Sequence, residues 1–135
     1  MKRILLTTAL ASFTLSVAHA DECMDKAEDQ TTMNNCALQA YQASDAELNR
    51  LFHEIRKRLG DDPDKRQLLR GAERTWVAFR DAECDFTASA VTGGSAYPMV
   101  YDMCLNDLTQ QRIRQFQQYL ACEEGDMSCP VPSAN

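Results

Sequence analysis

The sequence predicts an all-α fold, a three-helix bundle with short connections stapled by disulfides. Three observations carry this. Apolar residues recur at steps of three and four along three long stretches. No segment alternates with the period of two that a strand requires. Six cysteines, Cys23, Cys36, Cys84, Cys104, Cys122 and Cys129, fall into three sequence-local pairs behind a leader-like N-terminus.

Residues 1–20 read as a signal peptide. Lys2 and Arg3 supply the positive start, Ile4 to Val17 a mostly apolar run, and Ala18-His19-Ala20 a small-x-small cleavage site. The run is short and interrupted by Thr and Ser, which argues against a membrane span. Asp21 and Glu22 stand where a lipobox would need small residues, so the expected product is a soluble periplasmic or secreted protein without stable membrane insertion. In such an oxidising compartment an even cysteine count points to disulfides. Cleavage removes two cations and no acid, so the formal charge moves from −6 to −8. An acidic chain disfavours nucleic acid and anionic lipid and favours a cationic protein partner. The basic run Arg56-Lys57-Arg58 suits a solvated helix end.

The first helix is predicted over Thr31 to Leu59. Its stripe is Met33, Ala37, Ala40, Tyr41, Ser44, Leu48, Leu51, Phe52, Ile55 and Leu59, with Thr31 or Thr32 as cap and Gly60 as terminator. Asp61-Asp62-Pro63 gives a turn, an N-cap carboxylate and a proline at the first helical position. The second helix then runs to about Val91, its predicted inner face carrying Leu68, Leu69, Ala72, Thr75, Trp76, Phe79, Glu83 and Phe86. Thr92-Gly93-Gly94-Ser95 breaks it. The third helix is placed from Tyr97 to Leu120, with Tyr101, Leu105, Leu108, Arg112, Phe116 and Tyr119 facing inward. One helical domain over 21–122 and an irregular acidic, Pro/Ser-containing tail over 123–135 complete the expected organisation.

An antiparallel second and third helix bring Cys84 and Cys104 close across the Gly-Gly turn. Cys23 can fold back onto Cys36, and Cys122 and Cys129 pair by elimination, although six cysteines allow 15 connectivities. Two charges lie on predicted inner faces: Glu83 between Phe79 and Phe86, and Arg112 among Leu108, Phe116 and Tyr119. A buried charge needs a partner, so the two are expected to meet as a structural ion pair that fixes helix register. The functional alternative makes Glu83 a general acid or base. That requires a second catalytic group, and the sequence offers none.

Other chemistry finds little support. Once the leader is removed His53 is the sole histidine, on the solvent side of the first helix. His53-Glu54 begins like a zinc-protease helix, but Lys57 occupies the second histidine's place. No Cys-x-x-Cys exists for a metal, the serines lack a histidine–carboxylate setting, and Gly93-Gly94-Ser95 has neither the strand nor the lysine of a phosphate loop. The expectation is a protein that is not an enzyme and that carries no cofactor and no metal.

Taken together, several pieces resemble the LprI-like family of lysozyme inhibitors. They are Met33-Asn34-x-Cys36, Asp45-x-x-Leu48-Asn49, Trp76-x-x-Phe79-Arg80-Asp81-x-x-Cys84, Gly93-Gly94-Ser95, Cys104 and Thr109-x-x-Arg112. The order and spacing of these pieces, which span nearly all of the chain after the leader, carry the resemblance. It implies an all-α disulfide-bonded domain and a role in binding and inhibiting lysozyme at the cell envelope. The alternative is a non-catalytic envelope interaction or stress module with another protein partner. Arg80 and Asp81 fall off the predicted inner stripe and suit either a surface ion pair or a partner contact. The turn comprising Thr92, Gly93, Gly94, Ser95 and Tyr97 is uncharged and carries an aromatic. It either enters the carboxylate-bearing cleft of a muramidase or simply joins two helices.

Overall fold

The computed structural model describes residues 22–134; the proposed signal peptide lies outside them. Residues 22–25 form a short helical turn. Three long helices follow: α1 (Gln30–Arg58), α2 (Pro63–Ala88) and α3 (Tyr97–Leu120), with a 3-10 turn at Ser89–Val91 extending α2. The described residues contain no strand, and the architecture is the all-α bundle that the periodicities predict.

Each boundary has a local cause. Asp29 caps α1 by accepting from the Thr32 amide at 2.9 Å, so the cap precedes the threonines expected to supply it. Arg56, Lys57 and Arg58 fill the last turn of α1, and Gly60 leaves it at φ 56°, a left-handed conformation that a side chain would disfavour. Asp62 caps α2 through the Lys65 amide at 3.0 Å, and Pro63 sits in the first turn. Arg58 donates to the Leu120 carbonyl at 2.7 Å, tying the C-terminal ends of α1 and α3 together.

At the opposite end, Asn34 of α1 donates to the Ser95 carbonyl just before α3 at 3.0 Å. The two helices therefore run parallel, with α2 antiparallel to both. The α1–α3 pair makes the most extensive contact, and α2 packs mainly on α3. The main core lies toward the C-terminal ends of α1 and α3, where Leu48, Leu51, Ile55, Leu59, Ile113 and Phe116 are buried together. Phe52 stacks on Phe116 with ring centroids 6.4 Å apart.

The disulfides join Cys23 to Cys36, Cys84 to Cys104 and Cys122 to Cys129. The second bridges α2 to α3, and the third closes a small loop after α3. Beyond that loop the chain is irregular, yet Val131 returns to the core at 3 % exposure. The tail thus covers the end of the bundle. Val131→Ala is expected to lower unfolding stability by about 1–2 kcal/mol, measured by denaturant titration of the oxidised protein; an unchanged midpoint would show that the tail contributes no core.

Candidate functional site

The inner face of α2 differs from the predicted one. Leu68, Phe79 and Phe86 are 72, 54 and 76 % exposed, and Glu83 is exposed as well. The residues turned inward are Leu69, Glu73, Trp76, Arg80, Cys84 and Ala88, with Arg80, Cys84 and Ala88 buried. A rotation of about 100°, one residue step, separates the two faces. The predicted Glu83–Arg112 pair therefore does not form. Arg112 instead bonds Glu73 through its Nε and Nη2, both at 3.0 Å, and also donates to Gln115. Arg112 lies 4.6 Å from the Phe116 ring centroid and 5.7 Å from that of Trp76. Burial pushes the Glu73 carboxyl above its ordinary pKa, with Arg112 opposing the shift.

Arg80, expected at the surface, is also buried. Its Nη1 reaches Thr109 at 3.5 Å and Asp45 at 3.5 Å, and its Nη2 lies 2.9 Å from Asp81. Its guanidinium sits over two rings, Trp76 at 5.2 Å and Tyr41 at 5.4 Å. A planar, weakly hydrated cation suits this aromatic setting better than lysine would.

Around Arg80 the surface is acidic and aromatic. Tyr41 is half-buried, and burial raises its phenol pKa while Asp45 and Asp81 add to the shift and Arg80 opposes it. Tyr101 is raised by burial and by the field of Asp81 and Asp85. Tyr97 stacks on Tyr101 with centroids 5.9 Å apart, and its hydroxyl meets Asp85 at 3.4 Å. Three tyrosines and three aspartates thus form one surface over α1, α2 and α3, on a single buried arginine. Sequence reasoning placed Tyr41 and Tyr101 on inner stripes, and passed over Asp85 and the meeting of these residues at one surface. The signal for them was present, because Asp81, Asp85 and Tyr101 surround the Cys84–Cys104 crossing.

Thr92, Gly93, Gly94 and Ser95 are exposed at the tip of the α2–α3 connection, where Gly93 adopts φ 78°. Tyr97 joins this tip to the acidic surface, and Asp81 belongs to the same surface; Arg80 supports it from beneath. Every cysteine among the described residues is disulfide-bonded, so none is a free thiol nucleophile. No described helix is long and apolar enough to cross a membrane.

Fold and surface define a disulfide-stapled helical domain with an acidic, tyrosine-bearing surface. The lysozyme inhibitor LprI family model matches residues 23–116, and the chain belongs to that family. It is also 33 % identical over 110 residues to an uncharacterized protein of Rhizobium meliloti (strain 1021), covering 73 % of this chain and 79 % of the relative. No solved structure matches.

Two stability predictions follow from the corrected pairing. Glu73→Ala strands Arg112 in a poorly solvated site and is expected to cost about 2–3 kcal/mol, whereas Glu83→Gln changes stability by less than about 0.5 kcal/mol; denaturant titrations with the reverse ranking would refute the assignment. The raised Glu73 pKa also fixes a sign. Its contribution to stability is fully present below its ordinary value of 4.5 and is lost as pH rises through its folded value. Comparing wild type with Glu73→Gln across that range is expected to show this slope only in the wild type.

Proposed function

We propose that this chain is a periplasmic or secreted protein that binds and inhibits a lysozyme-type muramidase, and that the surface of Tyr41, Asp45, Asp81, Asp85, Tyr97 and Tyr101 receives the cationic partner. Membership of the lysozyme inhibitor LprI family supports the inhibitory role. The observation that carries the choice of surface is the continuity of three carboxylates with three tyrosine rings around Arg80. Carboxylates and aromatic faces together suit lysine and arginine side chains, and the chain's excess of acid speeds encounter with a basic protein. Arg80 neutralises part of the charge and keeps Asp45 and Asp81 at fixed separation, so the surface is ordered before the partner arrives.

The exposed tip from Thr92 to Ser95 projects from the same end of the bundle as Tyr97. It carries no acid, so it suits an approach to a cleft holding two catalytic carboxylates. Binding by the acidic surface and obstruction by the neutral tip divide the task between neighbouring segments.

The test is inhibition of a cationic lysozyme by the oxidised chain from Asp21 onward, at low and physiological salt. Saturable inhibition that weakens with salt is expected. The charge reversal Asp81→Lys/Asp85→Lys should weaken it by about ten- to a hundredfold. Substituting the 92–95 tip should reduce inhibition more than binding. Absence of inhibition at tens of micromolar, with native helicity retained, would overturn the reading.

A further inference from the structure

The outer face of α2 carries a self-complementary apolar stripe. At about 100° per residue, Leu68, Ala72, Thr75, Phe79, Ala82 and Phe86 fall within about 40° of one line along the helix, over about 27 Å. All six are exposed. Large apolar side chains in a continuous line differ from scattered surface hydrophobes and mark an interaction surface.

Between Leu68 and Phe79 the sequence along this stripe matches its own reverse, and Ala82 and Phe86 extend beyond the matched part. Placed against an antiparallel copy centred between residues 73 and 74, Leu68 lies opposite Phe79 of the second molecule, and Ala72 lies opposite Thr75. The small residues occupy the middle, where two helices must approach closely, and the large ones lie outward. On one flank, about 60° from the line, stand Lys65 near one end and Glu83 near the other. A two-fold axis perpendicular to the helices puts equal flanks side by side, so each Lys65 faces the Glu83 of the other copy. Glu83 is exposed, and Lys65 is held only by Asp62 at 3.9 Å.

The inward side of the same stripe adds a receptacle. Lys65, Leu68 and Ala72 also line a groove of about 360 Å³ closed beneath by Ile55, Leu59 and Val131. In the antiparallel register Phe79 of the second copy lies beside Leu68, at the mouth of this groove. Taking a phenylalanine as roughly 200 Å², the exposed parts of Leu68 and Phe79, the two large anchors in this register, hide roughly 200 Å² per copy. The alanines, Thr75 and the flanking charged stems add to this, toward the roughly 800 Å² per partner of a standard interface.

We infer that α2 is a homodimerisation helix, pairing antiparallel with α2 of a second copy through Leu68 and Phe79, with reciprocal Lys65–Glu83 contacts. The inference is independent of the muramidase reading. It commits the stripe to this chain itself because both the large-small-large order and the flanking charges are satisfied by reversal of the same helix.

Sedimentation equilibrium of the oxidised chain from Asp21 onward, between about 5 and 500 μM, tests it. A monomer–dimer equilibrium is expected. Phe79→Asp should raise its dissociation constant at least about tenfold, with helicity by circular dichroism unchanged because the side chain is exposed. Lys65→Glu and Glu83→Lys each place like charges across the interface and should each weaken self-association. Mixed together, these two variants should form a heterodimer tighter than either homodimer, since both contacts are then attractive. A wild-type monomer at the highest concentration overturns the proposal, as does a dimer insensitive to Phe79→Asp or a mixture without heterodimer preference. A monomer in which Phe79→Asp instead abolishes lysozyme inhibition would assign the stripe to a foreign partner.

Discussion

The bundle depends on how α2 is held against the parallel α1–α3 pair, and polar side chains do much of it. Two guanidiniums, Arg80 from α2 and Arg112 from α3, lie over the ring of Trp76. Each is paired across a helix boundary: Arg80 with Asp45 of α1, and Arg112 with Glu73 of α2. The Cys84–Cys104 bridge fixes the same face covalently near the other end. Buried cations are costly unless paired, so the rotation of α2 that satisfies both arginines is strongly selected over its neighbours. An apolar seam alone would discriminate less sharply between rotations about the helix axis.

This choice has a consequence on the other side of the helix. With Glu73, Trp76, Arg80 and Cys84 facing inward, the large apolar residues Leu68, Phe79 and Phe86 are directed outward. Their exposure is the geometric complement of the buried arginines. The hydrophobic core is concentrated instead between the C-terminal halves of α1 and α3, where Val131 of the tail closes it. The acidic tyrosine surface exists for a related reason, because Arg80 draws Asp45 and Asp81 toward the crossing of all three helices.

The fold was legible because α1 and α3 bury ordinary apolar stripes. Leu48, Leu51, Ile55, Leu105 and Phe116 sit where their periodicity puts them. The face of α2 was harder to read. Hydrophobicity weights Leu68, Phe79 and Phe86 heavily, and that weighting turned the predicted face by one residue and made Glu83 appear to be Arg112's partner. Cys84 held the better signal. A cysteine bridged to α3 must face α3, and counting back from it by steps of three and four gives Arg80, Trp76, Glu73 and Leu69, the face observed. The acidic surface was only half legible, since Tyr41, Asp45, Asp85 and Tyr101 come from three helices and meet only once α2 has its true rotation.

The same rotation relates the two proposed surfaces. Counting along α2, Asp85 lies about 100° and Asp81 about 140° from the line of the apolar stripe, on the side away from Lys65 and Glu83. An antiparallel two-fold pair brings equal flanks to the same side. The Lys65–Glu83 contacts would then line one side of the dimer, and Asp81 and Asp85 of both copies would lie along the other. Self-association leaves the carboxylates unobstructed and presents them twice in one direction. A cationic surface wide enough to reach both copies would gain avidity without any new contact, and a compact one would occupy the copies independently.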